Sequence, residues 1–301
     1  MWNDPPWLYA IVQLGILATF LVAAFRAGRQ SIQRLFELSS AVSFGLLLEE
    51  GDIIIFQSYR YALHWFSFDL VPPAIALCWA LIIASAMNIS DALGIDERVA
   101  PVADAVWAII LDLALDAVAI RLGFWRWTIP MDKGWFGVPY SNFFAWLLVA
   151  AVFSYFTRAV RRRTKRGGRA RLWQLVVPLP AYGVLLAGVG AYVFTQTTFF
   201  PEVGSDWILF AVALVIFALI TFRACLLPRR KPREMPDPYL AAVRYLIHLY
   251  FLWALIATEM FRQIPGLLVA SLTMLALETA LAFAVARGQP APFGGWVRRR
   301  E

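Results

Sequence analysis

The sequence predicts an all-α protein, a polytopic bundle of about nine transmembrane helices with its N-terminus outside and its C-terminus inside. The first observation is composition: of 301 residues, 61% are hydrophobic and only 16% are charged, whereas soluble domains are roughly half apolar and a quarter charged. The second is that the apolar residues occur in runs of about 20, the length that crosses the hydrocarbon core of a bilayer. No stretch is polar enough to form a soluble domain, so we expect one membrane domain.

The nine candidate spans follow one another with short polar connections. The second and fourth contain acidic residues and are the weakest by hydropathy. The spans are 7–25, 35–55, 71–87, 100–120, 141–156, 172–194, 207–225, 239–257 and 264–286.

The distribution of basic residues predicts the orientation. If nine spans alternate in direction, 21 of the 27 lysines and arginines lie on one face, eight of them in the connection 158–171. Cytoplasmic connections are enriched in these residues, which places the N-terminus outside. Their confinement to connections also argues against nucleic-acid binding, despite a net charge of +7.

The basic run also divides the chain into two helical units. The unit 1–157 is rich in polar residues within its spans, and the unit 158–301 consists mainly of strongly hydrophobic helices. The two acids in the last spans, Glu259 and Glu278, are isolated in the sequence, so we assign them no role. Functional chemistry is expected in the first unit.

Two segments of the first unit, 36–87 and 100–156, repeat the same order of features. Each contains carboxylates, a glycine, an aromatic-Arg-aromatic triplet and a Val-Pro pair, as a parallel duplication would leave them; chance is the alternative. The first set is Glu49, Gly51, Tyr59-Arg60-Tyr61 and Val71-Pro72, and the second is Asp112 with Asp116, Gly123, Trp125-Arg126-Trp127 and Val138-Pro139. Both segments leave the membrane on the same face, so we expect these groups to meet there.

The acidic residues of the fourth span are expected to have partners or a functional role, because insertion of a carboxylate into the membrane costs roughly 2.5–3.5 kcal/mol. They are Asp104, Asp112 and Asp116. Asp112 and Asp116 share a helix face, and two such carboxylates in a low dielectric cannot both ionise easily, so one should stay protonated. The alternative is that they pair with Arg121 or Arg126, or form hydrogen bonds between helices.

Several cofactor classes are disfavoured. Cys78 and Cys225 lie in apolar runs without CxxC spacing, which supports neither a disulfide framework nor a zinc site. The two histidines, His64 and His248, do not suit a bis-histidine haem, and no lysine lies within a span to hold retinal. We expect no metal and no cofactor.

An intramembrane prenyltransferase is a further alternative, because Asp112-x-x-x-Asp116 matches one Mg-diphosphate motif and Asn88-x-x-Asp91 with Asp96 is close to the other. The predicted topology places Asp91 and Asp96 inside and Asp116 towards the outside. The two motifs could then not bind one diphosphate.

Two blocks of the sequence resemble a known family. Residues 112–127 and 135–146, which include Trp-Phe-Gly-Val-Pro-Tyr-Ser-Asn, are similar to the core motif of the membrane carotenoid-biosynthesis family, and residues 48–79 look like its other characteristic block. That family includes carotenoid 1,2-hydratases of the γ-carotene and bisanhydrobacterioruberin type. The resemblance covers roughly residues 36 to 150.

The resemblance implies a hydro-lyase that adds water to a terminal double bond of an acyclic carotenoid end. Asp112 or Asp116 would donate the proton, Glu49 would orient the water and take its proton, and Asn142 would position the water. Aromatic faces stabilise a cation by roughly 0.5–2 kcal/mol each. The expected cation-facing and substrate-binding residues are Trp125, Trp127, Trp135, Tyr59, Tyr61 and Trp79.

The implied partners are a carotenoid or another long isoprenoid and the lipid bilayer, in the cytoplasmic membrane of a bacterium or an archaeon. Association with other enzymes of carotenoid synthesis is a further expectation. The main alternative function is a non-catalytic membrane subunit that binds a carotenoid or isoprenoid in the same groove.

Overall fold

The computed structural model describes residues 7–62, 67–165, 168–226, 232 and 234–287. Within these ranges it contains ten α-helices, nine of them with 20 or more residues. His64 and the arginines at 298–300 lie outside the described residues. The helices are α1 (Trp7–Gln30), α2 (Ile32–Gly51), α3 (Pro73–Ala92), α4 (Ala100–Ala119), α5 (Tyr140–Thr164), α6 (Pro178–Phe199), α7 (Trp207–Leu226), α8 (Pro238–Ala257), α9 (Met260–Gln263) and α10 (Pro265–Arg287).

The protein is an all-α polytopic bundle, as the sequence predicts. Seven of the described helices are long and apolar enough to cross a membrane: α1, α3, α5, α6, α7, α8 and α10. The other two long helices, α2 and α4, have 20 residues each and contain the acidic residues. The count of nine spans and the outward N-terminus stay predictions.

Helix α4 is enclosed by protein on almost every side. It packs against α3, α5, α7, α8 and α10, and 17 of its 20 residues are buried. Its three aspartates therefore face other helices and not lipid, which is how intramembrane carboxylates are tolerated.

Contacts between helix ends define the two ends of the bundle. Tyr9, at the start of α1, stacks on Phe124 beyond the end of α4, with ring centroids 4.6 Å apart. Arg26, near the end of α1, pairs with Asp237 before α8 at 2.8 Å. We call the end with Tyr9 and Phe124 the site end and the opposite end the basic end.

A two-stranded antiparallel sheet joins two connections at the site end. Strand β1 (Tyr59–Tyr61) follows α2, and strand β2 (Trp125–Trp127) follows α4. Tyr59 pairs with Trp127, Arg60 with Arg126, and Tyr61 with Trp125. The two aromatic-Arg-aromatic triplets of the sequence repeat thus lie side by side, their arginines exposed and their aromatic residues turned inward.

Ion pairs cross-link the basic end. Arg158 is buried within α5 and pairs with Asp91 and, at 2.9 Å, with Asp104. Arg161 pairs with Asp91 at 2.8 Å and with Glu37 at 2.6 Å. Asp104 therefore has a partner in Arg158, which lies within α5 and not in the connection 158–171 as predicted.

Glu278 is not isolated, so the prediction made for it was wrong. Arg244 of α8 donates to both of its carboxylate oxygens, each at 2.6 Å. The imidazole of His248 lies 3.6 Å from the same carboxylate. Glu259 in turn pairs with Arg262 at 3.1 Å on the exposed surface. The buried pair ties α8 to α10, because opposite charges in a bundle satisfy one another when water is absent.

Candidate active site

A cavity of about 160 Å³ lies at the site end, between α2, α3, α4, α5, α6 and the two-stranded sheet. Carboxylates line it from α2 with the turn that follows and from α4, and aromatic rings line it from α3, α5, α6 and the sheet; among the described residues none that lines it is basic. The polar and aromatic lining residues are Glu49, Asp52, Phe56, Ser58, Tyr59, Tyr61, Trp79, Asp112, Asp116, Trp125, Trp127, Ser141, Asn142, Trp146 and Tyr182.

Asp112 and Asp116 form a buried pair one turn apart on α4. The side-chain amide nitrogen of Asn142 donates to Oδ2 of both, at 3.0 Å to Asp112 and 2.8 Å to Asp116. Oδ1 of Asp116 accepts from the indole nitrogens of Trp125 at 2.8 Å and Trp127 at 3.3 Å. Oδ1 of Asp112 is buried with no hydrogen-bond partner among the described residues.

Asn142 reaches both acids because of a tight turn before α5. Trp135 and Val138 exchange backbone hydrogen bonds of 2.8 and 3.1 Å, and Gly137 between them has a φ of +87°. That left-handed conformation favours glycine. Pro139 then caps α5, so the Trp-Phe-Gly-Val-Pro segment serves to place the first turn of this helix against α4.

Glu49 is the third buried acid of the cavity. One of its oxygens accepts from the Tyr59 hydroxyl and, at 2.5 Å, from the Tyr61 hydroxyl. The other accepts from the indole nitrogen of Trp79 at 2.5 Å. Burial and the neighbouring Glu49 raise the pKa of Tyr59 and Tyr61, so both hydroxyls keep their protons and remain donors.

The arginines near the aspartate pair do not neutralise it. Arg121 donates to the backbone carbonyls of Ala117 at 2.8 Å and Phe136 at 2.7 Å. Arg126 is exposed on the outer side of the sheet. Neither is a partner of Asp112 or Asp116, which excludes the ion-pair alternative for these two acids.

The structure brings together every predicted site residue except Trp135. The indole nitrogen of Trp135 donates to the carbonyl of Leu113 at 3.0 Å, and its ring packs against Phe136 with centroids 4.9 Å apart. Trp135 therefore ties the turn before α5 to α4 and does not line the cavity. Asn142, expected to position water, bridges the two aspartates; its role towards water stays a prediction.

Several residues of the cavity were not among the predicted site residues, and two of them, Trp146 and Asp52, make contacts with polar or aromatic neighbours. Trp146 packs against Trp79 with ring centroids 4.2 Å apart; it follows Asn142 by four residues, so the shared helix face was a usable signal. Asp52 begins a π-helical turn after α2, and one oxygen accepts from the Ser58 hydroxyl at 3.3 Å. Burial, together with Glu49, raises the pKa of Asp52 to about 7. The α6 wall of the cavity has no comparable signal in the sequence.

The two acidic motifs of the prenyltransferase alternative lie at opposite ends of the bundle. Asp91 is held by Arg158 at the basic end, and Asp116 is held by Asn142 at the site end. Asn142 and Arg158 are 16 residues apart on the same helix, or about 24 Å at 1.5 Å per residue. The motifs therefore cannot bind one diphosphate between them.

Among the described residues, no group of three His, Cys, Asp or Glu side chains is arranged to hold a metal ion.

The family model described as "carotenoid biosynthesis protein" matches residues 7–211, a range that includes every described residue that lines the cavity. No curated protein and no solved structure matches the chain. Because the family model covers more than half of the sequence, this chain belongs to the carotenoid biosynthesis protein family.

Proposed function

We propose that this protein adds water to a terminal carbon–carbon double bond of an acyclic carotenoid end group. The observation that carries the proposal is the cavity itself, where Glu49, Asp112 and Asp116 are buried among aromatic rings and no lining side chain in the described part of the chain is basic. Hydration of a trisubstituted alkene needs an acid, a base and a means of stabilising a cation. Each of these requirements has a candidate group in the cavity.

Asp112 is the proton donor in this proposal. Both oxygens of Asp116 accept hydrogen bonds from N–H groups, which favours its ionised form. Asp112 accepts one such bond, on Oδ2, and its other oxygen has no partner among the described residues. Two buried carboxylates this close share a proton more readily than they both ionise, so Oδ1 of Asp112 is where that proton would reside.

Protonation creates a tertiary cation. The π electrons of the alkene form a C–H bond at the less substituted carbon with the Asp112 proton, and the positive charge develops on the carbon that bears the methyl groups. The indoles of Trp79 and Trp146 and the rings of the sheet face this volume, and each can contribute roughly 0.5–2 kcal/mol to cation stabilisation. The ionised Asp116 adds an electrostatic contribution in a water-poor site.

Glu49 is the base that completes the addition. A water molecule forms the C–O bond with the cation, and Glu49 takes the proton that this water loses, which yields a tertiary alcohol. Tyr61 and Trp79, with Tyr59, hold the Glu49 carboxylate in place. One proton leaves Asp112 and one reaches Glu49, so transfer between them through cavity water resets the site, and no oxidant or reductant is consumed.

The membrane arrangement proposed with this activity has all nine long helices crossing the bilayer and the site end on the outer face. Contacts of the helix ends support alternating directions, and the arginines of α5 at the basic end agree with a cytoplasmic position.

The test is expression in a host that accumulates lycopene or γ-carotene, followed by mass analysis of the pigments. The expected product contains one added water as a tertiary alcohol. The double variant Asp112→Asn/Asp116→Asn should abolish it, whereas Asp132→Asn, in an exposed loop between α4 and α5, should not. Pigment bound by well-expressed protein without added water would overturn the proposal in favour of a non-catalytic binding subunit.

A further inference from the structure

The volume of the cavity limits what it can enclose. An engineered apolar cavity of about 150 Å³ takes up a molecule of the size of benzene, and this cavity measures about 160 Å³. It has room for a small branched end group and a water molecule, but not for a chain as long as a carotenoid. On the proposed function, the remainder of the substrate must leave the cavity through one of its walls.

The wall towards the basic end is closed. Phe44 of α2 and Phe153 of α5 are fully buried and stack with centroids 5.3 Å apart. Beside them, Gly45 lies so close to α3 that a Cβ atom would be 3.0 Å from the Cα of Ala76. A second cavity of about 490 Å³ lies beyond this layer. The layer separates that cavity from Glu49, Asp112 and Asp116.

The seam between α5 and α6 is also closed. Phe144 and Tyr192 stack across it with centroids 4.5 Å apart. At the next turn Leu148 packs directly onto Gly188, where a Cβ atom would approach the Leu148 side chain to 2.5 Å. Above the cavity, the paired strands β1 and β2 form the remaining cover.

The seam between α2 and α6 differs from these walls. The cavity residues on its α6 side, Leu186, Val189 and Val193, are apolar and only partly buried. Most of α6 faces outward, since only four of its 22 residues are buried. On the α2 side, Gly51 lies beneath the Tyr182 ring of α6, so any Cβ atom there would overlap the Tyr182 hydroxyl. The half-buried Tyr182 ring thus crosses the seam at this level.

We infer that the seam between α2 and α6 is a lateral portal, through which the apolar chain of the substrate passes from the acid cavity into the bilayer along Leu186, Val189 and Val193. This inference rests on the proposed function only in assigning the reacting end to the cavity. The ligand class that fits is a linear isoprenoid with a small acyclic end group.

The test uses the full-length protein with Val189→Trp, which fills the portal, and Val184→Trp as the matched control, since Val184 is 49% exposed on the same helix. Two substrates are compared: an acyclic carotenoid and a short acyclic isoprenoid hydrocarbon with the same end group. Val189→Trp should lower conversion of the carotenoid by about tenfold or more, because an overpacked passage resists a chain. Conversion of the short substrate should fall by a clearly smaller factor, because that molecule does not have to pass through the portal.

Equal loss on both substrates, or an equal effect of Val184→Trp, would overturn the portal. Leu186→Trp, on the same wall, repeats the test if Val189→Trp folds poorly. Carotenoid retained on the purified protein is measured in parallel. If the wild type binds carotenoid but hydrates neither substrate, the hydration proposal fails. The portal is then tested by retention alone: Val189→Trp should retain less carotenoid than Val184→Trp, and equal retention would overturn the portal.

Discussion

Tyr59 and Trp127 face each other across the two-stranded sheet, with ring centroids 4.8 Å apart and planes inclined by 62°. Tyr59 donates to Glu49, and Trp127 donates to Asp116 at 3.3 Å. Acids carried by α2 and by α4 are therefore held at a set separation by strands that lie outside both helices. The geometry of the candidate site depends on these connections as much as on the helices.

Removal of the indole donors of the sheet should slow hydration stepwise. Trp127→Phe keeps an aromatic ring but removes one donor to Asp116, while Trp125 still donates to the same oxygen. The single variant should lose less than about tenfold in initial rate, and Trp125→Phe/Trp127→Phe about 10- to 100-fold, since a hydrogen bond to a charged group contributes about 1.5–3 kcal/mol. Trp173→Phe, at a 60% exposed tryptophan, is the control. Full activity of the double variant would show that these donors are not needed.

Asn142→Asp should reduce the proposed hydration more than the small change in side-chain size suggests. The substitution replaces the amide that donates to both Asp112 and Asp116 with a third carboxylic acid. Three like charges then lie close together, and neither aspartate keeps this hydrogen-bond donor. We expect a loss of at least about 100-fold in initial rate, equivalent to the upper part of the 1.5–3 kcal/mol range for a charged hydrogen bond. Asn88→Asp, the same substitution at the basic end, should retain most activity. A comparable loss in both variants would point to folding and not to the site.

Arg158→Met should destabilise the protein strongly, although Arg158 is not among the residues that line the cavity. It leaves the buried Asp91 and Asp104 without this cation, and removal of one member of a buried ion pair costs about 3–5 kcal/mol. Thermal unfolding of the detergent-solubilised protein measures the effect. Addition of Asp91→Asn and Asp104→Asn should restore much of the loss, because neutral amides no longer need the guanidinium. Equal stability of Arg158→Met and wild type would refute the assignment.

Asp52→Asn should change how stability depends on pH. The folded protein holds the Asp52 proton up to a pKa of about 7, whereas an unperturbed aspartate releases it near 3.8. The folded state thus binds more protons between these values, so Asp52 makes wild-type stability fall as pH rises through this window. As the pH rises from about 5 to about 8, the unfolding temperature of Asp52→Asn should fall less than that of the wild type. The control variant Asp132→Asn should behave like the wild type. An identical pH dependence in all three proteins would mean that Asp52 is not perturbed.

The sequence by itself determined the helices and the shared face of two acids. A bilayer leaves the backbone no hydrogen-bonding partner but itself, so apolar runs of about 20 residues become helices wherever they occur. The run 207–225 accordingly appears as α7, Trp207–Leu226. The spacing of Asp112 and Asp116 likewise requires them to lie on one side of α4, whatever surrounds that helix.

Only the tertiary structure decided what each polar residue contacts. Asp104 and Asp116 lie on the same helix, yet Asp104 pairs with Arg158 and Asp116 accepts from Asn142 and two indoles. Trp125 reaches the cavity, whereas Trp135 binds a backbone carbonyl. Local spacing sets the direction of a side chain relative to its own helix, but its partner depends on the rotation and register of neighbouring helices. Those are set by packing between residues far apart in the chain.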